Sequence, residues 1–94
     1  MIIRIVRMHF SSATAEEFLK IFRANEEAIR HFQGCAHLEL LRDVKDETIL
    51  TTLSHWNDEE SLERYRKSEL FTSVWSSVKP LFSKRPEAFS LLRS

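Results

Sequence analysis

The sequence predicts an α+β domain in the order β-α-β-β-α-β, with an antiparallel sheet that carries both helices on one face. Three observations support this fold class. A β-branched run opens the chain, two apolar stripes at helical spacing begin after capping residues, and two short strand-like segments between them are joined by a polar turn. The length of 94 residues fits one domain spanning residues 1–94.

The composition excludes several classes of protein. Fourteen basic residues balance fourteen acidic ones, so we predict neither nucleic acid nor a membrane surface as a partner. The chain is 43% hydrophobic, which is too apolar for disorder, yet no apolar run reaches the roughly 20 residues of a membrane helix. Arg4 and Arg7 interrupt the apolar start, so no signal-peptide pattern is present and a cytoplasmic protein is expected.

The opening segment is predicted to form the first strand, because β-branched residues dominate it. Alternation places Val6 and Met8 on one face with Arg4, and Ile3 and Ile5 on the other. Both faces are therefore largely apolar, which predicts cover on each of them. Helices would cover one face, and a second subunit is the simplest cover for the other.

The first helix is predicted to begin at Thr14, whose hydroxyl would cap the helix while Glu17 reaches back to the first amide. Apolar residues then recur at helical spacing, namely Phe18, Phe22, Ile29 and Phe32. We expect about five helical turns that end near Gly34, the only glycine in the chain.

Residues 36–42 and 47–55 are predicted to form two strands joined by a short polar turn. Matching their apolar faces selects one register. That register sets Leu38 and Leu40 on the face of Ile49 and Leu53, and it pairs His37 with Ser54 and Glu39 with Thr52 on the other face.

The second helical region is predicted to begin at Asn57, with Glu60 at its third position. Ser68 is expected to cap a further segment that has Glu69 in its first turn. That segment carries an apolar stripe of Leu70, Phe71, Val74, Trp75 and Val78. Residues 87–92 are expected to form the last strand, which completes a ferredoxin-like arrangement.

Most residues with reactive side chains do not form a motif. The four histidines lack close metal-ligand spacing, so no metal site is predicted. Cys35 has no activating neighbour in the sequence and is expected to be a small buried residue. His37 and Glu39, two apart on a strand, form either an acid/base pair or a structural polar contact, of which the second is favoured.

Tyr65 and Trp75 are the candidates for a ligand pocket. On a continuous helix they would lie about 80° apart around the axis and about 15 Å apart along it, so both could face the sheet. A phenol and an indole N–H suit a flat, oxygenated aromatic ligand, although either ring could equally be an ordinary part of the core. Trp56, where a strand gives way to a helix, is expected to be a packing anchor.

The predicted order of elements, together with two motifs, resembles the antibiotic biosynthesis monooxygenase (ABM) family. The motif Phe32-Gln33-Gly34-Cys35 precedes the second strand, and Trp56 is followed by Leu62, Ser68 and Phe71. The resemblance spans nearly the whole chain and implies a homodimeric α+β barrel, in which two sheets pack face to face with the helices outside. It also implies a pocket between sheet and second helix, where molecular oxygen oxidises a small phenol or quinol without a metal or bound flavin.

The resemblance also shows departures from related haem-degrading enzymes. Those enzymes carry an asparagine, a tryptophan and a histidine near the positions of Val6, Tyr65 and Trp75, so haem degradation is not expected. Many relatives have a histidine in the middle of the second helix, where this chain has Tyr65. A tyrosine is a poor base at neutral pH, because its ordinary pKa is about 10.

The resulting hypothesis is a cofactor-independent quinol monooxygenase. We assign catalysis to Tyr65 and His55, and we assign substrate binding to Trp75, Phe71, Arg4, Val6 and Met8. The alternative is a non-catalytic or stress-response dimer of the same fold that binds an aromatic ligand without converting it.

Overall fold

A computed structural model describes all 94 residues and confirms the predicted α+β fold, with the second helical region divided into two helices. The elements are β1 (Ile2–Phe10), α1 (Ser12–Arg30), β2 (Cys35–Arg42), β3 (Ile49–Trp56), α2 (Glu59–Arg66), α3 (Glu69–Val78) and β4 (Phe82–Leu91), with a short 3-10 helix at Lys79–Leu81. None of the helices combines the length and the apolar character needed to cross a membrane.

The four strands form one antiparallel sheet in the order β2-β3-β1-β4. The edge strand β4 begins at Phe82, earlier than the predicted start at residue 87. Its pairing with β1 shifts between Arg7 and His9, and Pro86 lies at this irregularity. Proline cannot donate to a ladder of hydrogen bonds, so an edge strand with a bulge accommodates it.

Helix α1 begins before the predicted position. Ser11 is the capping residue: its hydroxyl accepts from the amide of Thr14 at 3.2 Å, and the hydroxyl of Thr14 accepts from the amide of Ser11 at 2.9 Å. Thr14, which was predicted to be the cap, is therefore the third helical residue. The prediction was wrong because a serine three residues earlier closes the same reciprocal pair of bonds.

The helix ends at Arg30, before the predicted terminator Gly34. Gly34 lies instead in the turn before β2 with φ +92°, a conformation that favours glycine. A side chain there would collide with Ser61 of α2. The glycine thus allows α2 to approach the start of β2.

The second helical region contains two helices with separate caps. Asp58 caps α2 by accepting from the amide of Ser61 at 2.8 Å, so the prediction of Asn57 was wrong by one residue. Ser68 caps α3 as predicted, since its hydroxyl accepts from the amide of Phe71 at 3.1 Å. The same hydroxyl donates to the carbonyl of Tyr65 at 2.6 Å. The extended backbone of Ser68, with φ −78° and ψ 159°, separates α2 from α3.

The register between β2 and β3 differs by one residue from the predicted register. The predicted register holds at the pair Cys35–Trp56, but a bulge follows and His37 lies opposite His55. Glu39 consequently lies opposite Leu53. The prediction was wrong because alternation in the sequence does not reveal a bulge.

The shifted register changes which residues share a face. Leu38 lies opposite Ser54, and Leu50 belongs to the same side, where both leucines are buried in the main core. Ile49 and Leu53, which were expected beside Leu38, lie on the other face of the sheet. Leu50 is only 1% exposed, so the register that buries Leu50 is the one observed, and Ile49 and Thr51 point to the opposite face.

The helices all pack on one face of the sheet and leave the other uncovered in the single chain. The main core joins α1 and α3 to β1, β2 and β3, and a smaller one joins Leu62 of α2 to Ile2 and Trp56. On the uncovered face, Phe89 and Leu91 are 46% and 47% exposed. This face therefore exposes large apolar side chains, as the first strand predicts.

Candidate functional site

A cavity of about 100 Å³, open on one side, lies between the helix-covered face of the sheet and the three helices. Twelve of its fifteen lining residues are hydrophobic, so the cavity favours an apolar ligand. The lining residues are Arg4, Val6 and Met8 of β1, Phe18, Phe22 and Ile29 of α1, Leu38 of β2, Thr52, Ser54 and Trp56 of β3, Tyr65 of α2, and Phe71, Val74, Trp75 and Val78 of α3.

The structure brings together all but one of the residues assigned from the sequence. Those that line the cavity are Arg4, Val6, Met8, Tyr65, Phe71 and Trp75. His55 does not, because its neighbours Ser54 and Trp56 point into the cavity and alternate side chains of a strand point to opposite faces. The ring of His55 instead lies 5.1 Å from the ring of His37 on the uncovered face. His55 is thus separated from Tyr65 by the sheet.

Tyr65 is held in place by aromatic contacts on three sides. Its ring stacks on Trp56 with the centroids 4.8 Å apart, and it makes edge contacts with Phe32 at 5.4 Å and Phe71 at 5.2 Å. Trp56 is 1% exposed, and its indole N–H donates to the hydroxyl of Ser54 at 2.9 Å. The prediction of Trp56 as a packing anchor is confirmed.

The hydroxyl of Tyr65 is suited to donate a hydrogen bond and unsuited to remove a proton. Burial raises the pKa of this phenol well above its ordinary value of 10. The nearby thiol of Cys35 adds to the shift, and no hydrogen bond contributes to it. At neutral pH it remains protonated and can stabilise a phenolate oxygen.

Trp75, on α3, belongs to the same cluster of aromatic side chains as Tyr65 on α2. Its ring stacks on Phe71 at 5.8 Å and contacts the edge of Phe82 at 5.5 Å. These contacts continue a series in which successive centroids lie between 4.8 and 5.9 Å apart, through Trp56, Tyr65, Phe71, Trp75, Phe82, Phe10, Phe18 and Phe22. Such a cluster would hold the flat faces and edges of another ring.

Three polar side chains reach the cavity from the sheet: Arg4, Thr52 and Ser54. Sequence reasoning identified Arg4 but missed the other two, because it used the wrong register for β3. The pairing of Arg4 with Ser54 and of Val6 with Thr52 would have identified both. Burial and then repulsion from Arg66 lower the pKa of the Arg4 guanidinium, which nevertheless stays charged at neutral pH.

The remaining candidate side chains lie outside the cavity. The Nε2 atom of His37 lies 2.6 Å from the Oε2 atom of Glu39, so the predicted pair forms. Both side chains are on the uncovered face. Cys35 is half-buried, and burial raises the pKa of its thiol, which makes it less reactive. The structure contains no group of three or more histidine, cysteine, aspartate or glutamate side chains arranged to hold a metal ion.

The sequence of residues 1–75 matches the family model described as antibiotic biosynthesis monooxygenase. The chain belongs to this family. The matched region extends from β1 to Trp75, so it includes every residue that lines the cavity except Val78. No curated protein matches the chain significantly.

Solved structures share the ABM fold at low sequence identity. A conserved protein from Methanosarcina mazei Go1 is 22% identical, with a TM-score of 0.93 over 100% of this chain and 94% of its own. A structure titled antibiotic biosynthesis monooxygenase is 18% identical, with a TM-score of 0.92 over 100% of this chain and 99% of its own. A Pseudomonas aeruginosa protein is 22% identical, with a TM-score of 0.86 over 99% of this chain and 93% of its own. These likenesses establish the fold.

Proposed function

We propose that this ABM-family chain is a monooxygenase that oxidises a small quinol or phenol with molecular oxygen and needs neither a metal nor a bound cofactor. The cavity carries this proposal, because aromatic rings surround an apolar space at whose edge Arg4 and Tyr65 can donate hydrogen bonds. Membership of the family supports oxygenation as the type of reaction.

The reaction balances without an added reductant, because a hydroquinone supplies all the electrons. The quinolate passes one electron to oxygen, and the resulting radicals join to form a carbon–oxygen bond at the ring. The carbon that bears the hydroperoxide then loses its hydrogen together with hydroxide as water, which leaves a carbonyl, and tautomerisation gives a hydroxyquinone. Quinol and oxygen thus yield hydroxyquinone and one water. The protein has to bind the quinol, stabilise its anion and exclude water.

Within this proposal, Arg4 and Tyr65 stabilise the quinolate. No side chain of the cavity acts as the base. A nearby positive charge and a hydrogen bond to the charged oxygen both favour the deprotonated ligand. The proton leaves to solvent through the open side of the cavity. Trp75 and Phe71 orient the ring by stacking.

We also propose that the chain acts as a homodimer through the uncovered face of the sheet. Leu41, Phe89 and Leu91 are exposed there at 42%, 46% and 47%, which supports cover by a second apolar face. Phe89→Asp should reduce the molecular mass in solution from dimer to monomer, as measured by light scattering. A monomeric mass for the unchanged protein would refute the dimer.

A non-catalytic dimer that binds an aromatic ligand is the second candidate function. The observation in its favour is that no group in the cavity is a base at neutral pH, since the pKa of Tyr65 is raised and His55 faces away. Such a protein would bind quinols in the same cavity without consuming oxygen.

Oxygen uptake distinguishes the two candidates. Metal-stripped protein is mixed with a panel of hydroquinones and dihydroxynaphthalenes, and the rate is corrected for autoxidation. We expect saturable uptake, reduced on the order of tenfold or more by Tyr65→Phe, because a hydrogen bond to a charged oxygen is lost. Ser76→Ala, which removes an exposed hydroxyl from α3, is the control and should change nothing. Binding without uptake would favour the second candidate.

A further inference from the structure

Arg4 lies between the aromatic cavity and a separate polar cleft. The cleft has a volume of about 250 Å³, larger than the cavity itself. It is formed by the start of β1, the outer side of α2 and the end of β4, and its polar residues besides Arg4 are Glu59, Glu63, Arg66 and Ser90. A ligand in the cavity could therefore extend past Arg4 into this cleft.

The guanidinium of Arg4 has no carboxylate partner. Its hydrogen bond goes to the neutral hydroxyl of Ser90 at 3.1 Å, and none of the ion pairs in the structure includes it. The acidic group whose charge raises the pKa of Arg4, Glu63, forms its ion pair with Arg66 at 2.9 Å. The guanidinium is only partly removed from water, so it is available to an anion that enters the cleft.

The cleft holds a second cation, Arg66, together with the carboxylates of Glu59 and Glu63. Burial lowers the pKa of Arg4 most, repulsion from Arg66 lowers it next, and attraction to Glu63 raises it by less. An anion placed between the two guanidinium groups would be attracted by both of them. A planar carboxylate matches the geometry of the guanidinium group, which can donate two parallel hydrogen bonds.

The size of the cavity sets a limit on the rest of the ligand. At about 100 Å³ it is smaller than the apolar cavity of about 150 Å³ that is known to bind benzene. This small volume suits a single ring better than a fused ring system, and the open side allows part of the ring to project out of the cavity. Substituents on that ring would have to extend out of the cavity, and the cleft beside Arg4 gives them room.

We propose that the ligand of this protein is a monocyclic aromatic acid, whose ring occupies the cavity and whose carboxylate binds Arg4 and Arg66 in the cleft. This inference rests on the proposed function in one respect, namely that the cavity is the ligand site. It holds whether the ligand is oxidised or only bound. It makes Arg4 and Arg66 determinants of specificity.

The test compares an acid with its neutral analogue in the absence of oxygen. The dissociation constants of 2,5-dihydroxybenzoate and 2,5-dihydroxybenzamide are measured by titration calorimetry at two salt concentrations. We expect the acid to bind on the order of tenfold more tightly, because hydrogen bonds to charged groups are stronger than neutral ones. The preference should shrink at high salt, since salt screens partly exposed charges.

Variants of the two arginines show which side chains cause the preference for the acid over the amide. Arg4→Gln should weaken binding of the acid far more than binding of the amide, so that the ratio of their dissociation constants falls to about one, because the charged contact is lost. Arg66→Gln should remove part of the preference. Arg64→Gln is the matched control, because Arg64 lies on the same helix but lines neither the cavity nor the cleft.

A substitution that is expected to strengthen binding of the acid complements the arginine variants, because an unfolded variant could not produce that result. Glu63→Gln frees Arg66 from its ion pair, so it should tighten binding of the acid a few-fold and leave the amide unaffected. Equal affinity for acid and amide, failure of the acid to bind up to its solubility, or a preference that survives Arg4→Gln would each overturn the inference.

The outcomes separate this inference from the proposed reaction. Saturable oxidation of neutral hydroquinones without any preference for the acid would overturn the inference and leave the reaction standing. Tight binding of the acid without oxygen uptake would support the inference and favour the non-catalytic function.

Discussion

The two faces of the sheet carry polar side chains in different ways. On the helix-covered face, Arg4 and Ser54 reach an aromatic cavity. On the uncovered face, His37 lies against His55 and pairs with Glu39. The two sets alternate along the same strands, so one residue of shift would exchange them. A histidine next to a cavity residue in sequence is therefore far from the cavity in space.

This contrast explains why residue type alone is a weak guide to the site. By residue type, histidine is the better base at neutral pH and tyrosine the poorer one. The strand nevertheless turns His55 away from the cavity, whereas Tyr65 of α2 lines it. The chemistry available to a bound ligand is thus limited to hydrogen-bond donors, a positive charge and aromatic faces.

The largest expected effect tests the difference in packing between the faces. Leu50 and Leu53 lie on the same strand, but Leu50 is buried in the core and Leu53 is half-buried on the uncovered face. Leu50→Ala should lower the free energy of unfolding by about 2–5 kcal/mol, and Leu53→Ala by less than about 1.5 kcal/mol. Urea unfolding at low protein concentration measures both. Equal costs would mean that the uncovered face is as tightly packed as the core.

A second prediction concerns the pH dependence of oxygen uptake in the proposed reaction. Burial raises the pKa of Tyr65 above 10, so no group of the cavity should titrate between pH 6 and 9. The rate should then rise about tenfold per pH unit below the pKa of the quinol itself. Two quinols with different pKa values should give profiles displaced by that difference. A common apparent pKa near 6.5 for both would instead indicate a histidine.

The smallest expected effect concerns an ion pair on the uncovered face. The hydrogen bond from His9, 2.9 Å long, lowers the pKa of Glu87 below its ordinary value of 4.5. Because the folded pKa is the lower one, the pair stabilises the protein above about pH 4.5, and this contribution is lost as the pH falls through the folded pKa.

Glu87→Gln removes that contribution. Between pH 6 and pH 3 the melting temperature of the wild-type protein should therefore fall slightly more steeply than that of the variant, as measured by circular dichroism. Parallel curves for the two proteins would show that the exposed pair adds nothing measurable, as for many surface ion pairs.

Much of the fold could be predicted because its signals are local. The β-branched start of β1, the apolar stripe of α1 and the cap at Ser68 each depend on residues within a few positions. The prediction of Asn57 as a cap failed only because Asp58, its neighbour, is an equally good capping residue and lies at the correct distance from Ser61.

The cavity was partly predictable for the same reason. Tyr65 and Trp75 were selected as large amphipathic rings, and both line the cavity even though the helix between them is interrupted. Thr52 and Ser54 were missed, and His55 was assigned, because all three depend on the side of β3 that faces the helices.

The sequence by itself determined which segments form strands and helices, and which of them carry an apolar side, because periodicity and capping are read over a few neighbouring residues. The tertiary structure alone decided which side chains meet. The bulge after Cys35 sets the register of β2 against β3, and the close approach of Ser61 to Gly34 places α2. Both depend on contacts between residues distant in sequence, which no local pattern encodes.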